Sequence, residues 1–219
     1  MRLVSLLLLV VLSPILLIVS ICVFIDLGFP IFYKDRRLGH QFCPFNLLKF
    51  RTMIDADGPR ITVGRDLRIT SFGRFLRTFR IDELPQLVNI IRGQMNFVGP
   101  RPESVTIAED NPSSFTYLEY IKPGVTDISS IIFKDEAQIL SKHSDSLEYY
   151  FNEILPIKAS ISESYKMDLR LWSRFVIVIA TLVSFVSYDL ALKISRTVFY
   201  IDDSQFCDKL NNLIGKEIF

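Results

Sequence analysis

The chain is poor in the residues that build metal clusters and disulfide frameworks. Its 219 residues include three cysteines and two histidines. Cys22, Cys43 and Cys207 are odd in number and far apart, so they form no zinc or redox motif and suit a reducing compartment. His40 and His143 are too few and too isolated to make a metal site, and each reads as an ordinary surface or packed histidine. Net charge is nearly absent as well. A formal charge of +1, with no alternation of aromatic and basic residues, leaves no footprint for nucleic acid. No internal repeat or low-complexity segment interrupts the chain.

Apolar residues are what the chain has in excess: 49% are hydrophobic, high for a soluble protein of this size. Much of this lies in residues 3–25, an uncharged run of 23 residues. At about 1.5 Å per helical residue, that run is long enough to span a bilayer. Residues 21–26 offer no small-residue cleavage site, so the run reads as a retained membrane segment, not a signal peptide. Ser13-Pro14 falls near its middle. Proline removes a backbone donor and clashes with the preceding turn, and the serine hydroxyl can bond a carbonyl one turn back. Arg2 precedes the run and Lys34, Arg36 and Arg37 follow it, so positive charge sets no orientation. A spanning helix and a bent helix that re-enters the cytoplasmic face both satisfy these residues.

One further absence is local. Between Arg51 and Arg101 there is no lysine, yet there are nine arginines, at 51, 60, 65, 68, 74, 77, 80, 92 and 101. The acids there are Asp55, Asp57, Asp66, Asp82 and Glu83. Arginine offers a planar fork for bidentate phosphate contacts, whereas lysine is a point charge. Arginine-only usage around two adjacent carboxylates points to a phosphorylated substrate, with a solvated basic face or lipid headgroup contact as the plainer alternative.

The adjacent carboxylates are Asp82-Glu83. They precede Pro85, which is tolerated in the first turn of a helix, and Leu84, Leu87, Val88 and Ile91 then recur at helical spacing. The acids are thus expected at the start of an anchored helix, whose dipole helps keep them ionised. An ionised aspartate on a rigid element is a competent nucleophile, and its neighbour can hold a metal. The bland alternative is a helix cap with a solvated acid. Downstream, two prolines bracket Arg101 in Gly99-Pro100-Arg101-Pro102, which stiffens the backbone and can aim a phosphate ligand or simply make a rigid turn.

Elsewhere, residues 31–33 and 45–50 read as short strands around a turn carrying Gly39-His40-Gln41. Residues 55–59 read as a loop, and 67–79 as partly helical with a break near Ser71-Phe72-Gly73. Residues 136–151 are polar and compatible with helix. Residues 175–186 are apolar but reach about 18 Å, too short to span, and read as a helix at the membrane surface or packed on the domain. Residues 200–219 carry no motif. The expected organisation is a membrane helix over 1–27, a catalytic domain over 28–199 and a C-terminal tail over 200–219. The short N-terminus argues against an appended multi-helix region or a fused second enzyme.

Several motifs, in order, resemble those of the monotopic phosphoglycosyl transferases, the small form of the bacterial sugar transferase family. They are Ser13-Pro14, Pro30-Ile31-Phe32-Tyr33, Lys49-Phe50-Arg51-Thr52-Met53, Gly64-Arg65-Asp66-Leu67-Arg68, residues 77–87 and Gly99-Pro100-Arg101-Pro102, weakening from Lys122-Pro123-Gly124-Val125-Thr126 onwards. The resemblance implies an α+β, mostly helical fold with a re-entrant N-terminal helix broken at Ser13-Pro14. It also implies a cytosolic catalytic domain on the bacterial inner membrane, docked by interfacial amphipathic helices. Asp82 would be the nucleophile, with Glu83 as its partner at Mg2+. Arg77, Arg101, Lys49 and Arg51 would contact phosphate or substrate. Asp168, in Met167-Asp168-Leu169-Arg170, matches a family acid through a looser motif.

The implied reaction transfers a phospho-sugar from a UDP-sugar to a polyprenol phosphate and releases UMP, by ping-pong kinetics, at the start of lipid-linked glycan assembly. The partners would be those two substrates, the bilayer and no nucleic acid, with room for a homodimer and for downstream glycosyltransferases. Two stretches depart from the family pattern. Gly93-Gln94-Met95-Asn96 stands where Gly-Asp-Met-Ser is frequent, and Asp127-Ile128-Ser129-Ser130 replaces a common Gly-Trp-Ala-Gln run. The competing readings are a membrane-bound, metal-dependent hydrolase of nucleotide sugars or pyrophosphates, and a non-catalytic scaffold whose arginines bind lipid headgroups.

Overall fold

A computed structural model describes residues 1–58, 61, 64, 66–165, 170–198 and 204–214. The architecture is α+β and mostly helical, with two small two-stranded sheets. Helix α1 (Arg2–Leu27) is followed by an antiparallel hairpin, β1 (Phe32–Leu38) and β2 (Pro44–Phe50), then by α2 (Ser71–Thr78), a 3-10 turn (Ile81–Glu83) and α3 (Gln86–Ile91). Strand β3 (Asn96–Val98), α4 (Val105–Asp110), a 3-10 segment (Pro112–Glu119) and β4 (Gly124–Thr126) complete the region around the acids. Beyond it lie α5 (Ile128–Ile132), α6 (Glu136–Leu140), α7 (Ser146–Tyr149), a π-turn (Tyr150–Ile154), α8 (Leu155–Ser164), α9 (Leu171–Val183), α10 (Tyr188–Arg196) and α11 (Ser204–Ile214).

Helix α1 runs through Pro14, and the Ser13 hydroxyl donates to the Val10 carbonyl at 2.7 Å. It is the one described helix long and apolar enough to cross a membrane. Most of its surface is exposed, but Leu9, Leu12, Leu16, Val19 and Val23 form a stripe at alternating spacings of three and four that packs on the domain. Leu9 and Leu12 meet Leu87 and Ile90 of α3; Val19 and Val23 meet Phe50 of β2 and Leu76 of α2. Both ends of α1 also touch the domain. Arg51 donates to the Leu27 carbonyl at 2.7 Å, and a Cβ on Gly93 would fall on the Arg2 guanidinium.

The hairpin forms where two short strands around a turn were expected, with Phe32 opposite Phe50, and its first strand extends to Leu38. Helix α2 differs from the sequence expectation. Ser71-Phe72-Gly73 is its first turn, not a break, because the Thr70 hydroxyl caps the Gly73 amide at 2.9 Å. Gly73 also lies against the Thr52 backbone so closely that any side chain would collide with it, which fixes α2 on the segment after β2.

Helix α3 differs as well. The acids stand in the 3-10 turn before it, and its fully buried residues are Gln86, Leu87, Asn89 and Ile90, while Leu84, Val88 and Ile91 are half-buried. The helix sits between α1 and β2, so its buried arc is wider than one apolar stripe and takes in polar side chains that bond the strand. Asn89 accepts from the Leu48 amide at 3.0 Å and donates to the Asn46 carbonyl at 2.8 Å.

Strands β3 and β4 are parallel, with Asn96 opposite Gly124 and Val98 opposite Thr126. Both therefore end on the same side, which brings the residues after them together. Gly99 and Gly124 allow the approach, since a Cβ on Gly124 would strike the Gly99 backbone. The largest core lies behind this pair, formed by residues such as Leu118, Ile128, Ile131, Ile132, Leu140, Ile154 and Ile161. One face of α9, with Ile177 and Ala180, packs into it, while Leu171, Trp172, Phe175 and Leu182 stay exposed. The segment read from sequence as a tail contributes α11, whose Leu210 is fully buried in the same core.

Candidate active site

The site is assembled from three places: the 3-10 turn carrying Asp82 and Glu83, the end of β2 with Lys49, and the loops that leave β3 and β4. The turn is built by backbone bonds, from the Glu83 amide to the Arg80 carbonyl and from the Leu84 amide to the Ile81 carbonyl, both 3.2 Å. Pro85 follows and leads into α3, so the acids are fixed by a helix that Asn89 clamps to β2.

Asp82 is 7% exposed, and its carboxylate accepts no hydrogen bond among the described residues. Burial, and then the charge of Glu83, push its pKa above the ordinary value against the pull of Lys49, Arg77 and Arg101. Glu83 behaves oppositely. Burial would raise it as well, but Arg101 overcomes this, helped by Lys49 and Arg80, and holds the carboxyl at about 2. Arg101 grips both Glu83 oxygens with both terminal nitrogens, a bidentate pair whose Nη1–Oε2 arm is 3.3 Å. Adjacent carboxylates with environments that separate their pKa values have different tasks. Glu83 is a fixed, satisfied anion; Asp82 is a poorly stabilised one with free lone pairs.

Lys49 donates to Asp35 at 3.4 Å, and its pKa is lowered by burial and by Arg37 and Arg101. Asp35 is in turn held by Arg37 at 2.6 Å, and Arg37 bonds Glu103 at 3.0 Å. Tyr150 donates to Glu103 at 2.7 Å, so this polar chain ties the hairpin to the larger core. Arg77 is aimed by Thr52 Oγ1 and Met53 Sδ, both 2.9 Å away, and burial lowers its pKa against the pull of Asp82, Asp66 and Glu83. The backbone amide of Arg101 points to Asp127 Oδ2 at 3.4 Å. Asp127 is fully buried and caps α5 by accepting from the Ser130 amide at 2.7 Å and from the Ser129 hydroxyl at 2.6 Å.

The fold thus brings Asp82, Glu83, Lys49, Arg77 and Arg101 together. Arg51 is engaged elsewhere, donating to the carbonyls of Leu27 and Pro30 at the end of α1. Asp168, Arg60 and Arg65 lie outside the described residues. Sequence reasoning did not single out Asp35, Arg80 or Asp127. An aspartate before the apolar Ile128, Ile131 and Ile132 is a readable helix cap, but nothing in the sequence announces that it supports Arg101.

A profile of the bacterial sugar transferase family matches residues 2–188. The chain belongs to the bacterial sugar transferase family. Among relatives, it is 35% identical over 153 residues to the UDP-glucose:undecaprenyl-phosphate glucose-1-phosphate transferase of Klebsiella pneumoniae, a match covering 67% of this chain and 33% of that protein. It is 34% identical over 169 residues to the exopolysaccharide production protein ExoY of Sinorhizobium fredii, covering 68% of this chain and 74% of that one. A third match, 35% over 137 residues, is to the undecaprenyl-phosphate glucose phosphotransferase of Komagataeibacter xylinus and covers 58% and 26%. The chain therefore spans about a third or less of two of these relatives and most of the third. The acid turn, the β2 lysine and the prolines around Arg101 all lie inside the matched family region.

Proposed function

We propose that this sugar transferase moves a phospho-sugar from a UDP-sugar to a polyprenol phosphate and releases UMP, with Asp82 as the nucleophile. The observation that carries the reading is the state of Asp82: buried, with no hydrogen bond to its carboxylate among the described residues, and set beside a second acid that Arg101 keeps ionised. A carboxylate placed so is short of stabilisation and reactive towards phosphorus. An Asp82 oxygen attacks the phosphorus nearer the sugar, and the bond to the UMP oxygen breaks with its electron pair leaving on UMP. A phosphate oxygen of the polyprenol phosphate then attacks the same phosphorus, and the bond to Asp82 breaks, restoring the carboxylate. Lys49, Arg77 and Arg101 offset the negative charge that gathers during both steps. The names of the relatives support these substrate classes.

Magnesium fits the donor set. Among the described residues no group of three or more ligand side chains comes together, but magnesium takes one or two carboxylates and completes its shell with water and substrate phosphates. Glu83 and Asp82 would hold it, and when bound it would supply further charge neutralisation at the diphosphate.

We also read the chain as monotopic on the cytoplasmic face of the inner membrane. The stripe from Leu9 to Val23, with Arg2 and Leu27 both touching the domain, supports a helix that stays beside the domain along its length. The exposed Trp172 and Phe175 of α9 suit an interfacial contact.

The test is a panel of UDP-sugars with polyprenol phosphate, scored by UMP release, with peptide mapping of enzyme incubated without acceptor. Acceptor-dependent UMP release and an adduct on Asp82 are expected. Steady hydrolysis without acceptor would make the chain a hydrolase, and no turnover with any nucleotide sugar would leave a scaffold. For topology, cysteines introduced at residues 1 and 30, in a background lacking the native three, should both resist labelling from outside intact cells. Labelling at residue 1 would mean that α1 spans.

A further inference from the structure

Arg80, two residues before Asp82, has a left-handed backbone with φ 52° and ψ 25°. Any residue with a Cβ pays for that conformation, and glycine is the one that does not. The turn itself makes no use of the side chain. The Arg80 amide donates to the Arg77 carbonyl at 3.1 Å, and its carbonyl accepts from Glu83 at 3.2 Å. An arginine at a position that calls for glycine has to be accounted for by its guanidinium.

That guanidinium is largely unemployed. It makes one hydrogen bond, from Nη2 to the Ser130 carbonyl at 3.2 Å, and has no carboxylate partner among the described residues. Of the acids near it, Glu83 is engaged by Arg101 and Asp127 by Ser129, Ser130 and the Arg101 amide, while Asp82 makes no hydrogen bond to it among the described residues. Arg101 lies close enough to repel the Arg80 guanidinium, and Glu83, Asp127 and Asp82 attract it. Two guanidinium groups in one partly desolvated neighbourhood repel each other until an anion joins them.

We propose that Arg80 is a phosphate-binding arginine of this site, held over the acid turn by its left-handed backbone and its bond to Ser130. It rests on the transferase reading above and adds to it a residue that contacts substrate from the α5 side. The ligand is a phosphate oxyanion, of either the nucleotide-sugar diphosphate or the polyprenol phosphate. Its tether, Ser130, lies in the stretch Asp127-Ile128-Ser129-Ser130, where this chain departs from the family pattern.

The test uses the full chain in detergent or nanodiscs, comparing wild type with Arg80→Gly, Arg80→Asn and Arg80→Lys. Glycine and asparagine both tolerate the left-handed region, so at least one neutral variant keeps the fold, and Arg80→Gly is expected to melt no lower than wild type. For the neutral variants kcat/KM should fall about tenfold or more for the substrate whose phosphate Arg80 holds, with partial recovery in Arg80→Lys. A fall for the UDP-sugar identifies the donor diphosphate, and a fall for the polyprenol phosphate identifies the acceptor. Unchanged kcat/KM for both substrates in a folded neutral variant overturns the assignment. Should wild type itself turn over no UDP-sugar, the transferase reading falls, and Arg80 is then judged by equilibrium binding of UDP and of polyprenol phosphate. Binding of either about tenfold weaker in Arg80→Gly upholds a phosphate contact, and equal binding of both removes it.

Discussion

The two halves of this chain are held together by different forces. From the hairpin to Arg101, the buried apolar clusters are small, Phe45, Leu47, Leu87, Ile90 and Met95 in one and Val19, Val23, Phe50 and Leu76 in the other, and both borrow packing from α1. Placement there depends on polar clamps: Asn89 to β2, Arg51 to α1, and Arg37 between Asp35 and Glu103. From α4 onward, a single large cluster of aliphatic and aromatic side chains fills the interior. The difference teaches that the half carrying Asp82 and Glu83 keeps its charges by leaning on two supports, the long apolar helix α1 on one side and an apolar block on the other. A site with this many buried charges cannot also supply a large hydrophobic core.

The sharpest division between the halves is expected at Asp82. Asp82→Asn removes the proposed nucleophile and should lower turnover by about 10^4- to 10^6-fold, as loss of a nucleophile does elsewhere. Its melting temperature should hold or rise, because a carboxylate disfavoured by burial and by Glu83 is replaced by a neutral group. A variant that kept its rate would place the chemistry on another residue.

Next comes a paired measurement. Leu118→Ala, in the large core and 1% exposed, should cost about 2–5 kcal/mol of stability while the folded fraction keeps its kcat. Arg101→Lys should do the reverse. It keeps the charge but loses the fork that grips Glu83, and should cost about 2.7–4 kcal/mol of transition-state stabilisation, roughly a hundredfold to a thousandfold in rate. If Arg101→Lys turned over at the wild-type rate, Arg101 would be a structural residue and the contrast would fail.

Asn89→Ala should blur the division, because this clamp serves both fold and site. Loss of its bonds to Leu48 and Asn46 is expected to cost about 1–3 kcal/mol, seen in denaturant unfolding, and to lower kcat as well. A loss of stability with no loss of rate would show that the acid turn does not need α3 fixed to β2.

The smallest expected effect is on pH dependence. Lys49 holds the Asp82 pKa down, so Lys49→Met should let it rise. Attack needs the ionised carboxylate, and the acid limb of kcat/KM for UMP release should therefore move to higher pH. No movement, or movement to lower pH, would assign that limb to a different group. Glu83 works in the opposite sense for stability. Its folded value of about 2 lies below its ordinary 4.5, so its contribution is present above 4.5 and is lost as pH falls towards 2.

How much was legible in advance follows from the range of each interaction. The turn residues Gly39-His40-Gln41 between two apolar stretches and the helical spacing after Asp82 are local signals, and they located the hairpin and the helix that follow from them. The limits of α2 and α3 were misjudged where a neighbour decided them. Thr70 and the backbone of Thr52 turned an apparent break at Ser71-Phe72-Gly73 into a first turn, and β2 drew Asn89 inside. Within the site, the residue types chosen from sequence do meet, except that Arg51 is engaged at the end of α1 and Asp168 lies outside the described residues.

The sequence by itself determined the family, the membrane-length apolar helix and the candidate acids and arginines, because these rest on residue identity and on spacing along the chain. Only the tertiary structure decided which carboxylate is satisfied and which accepts no hydrogen bond among the described residues, which arginines face the acids, and that α1 packs on the domain from Leu9 to Val23. Those outcomes depend on burial and on partners far away in sequence, such as Glu83 with Arg101 and Arg80 with Ser130. A charge has no fixed pKa or partner until folding sets its distance from water and from every other charge.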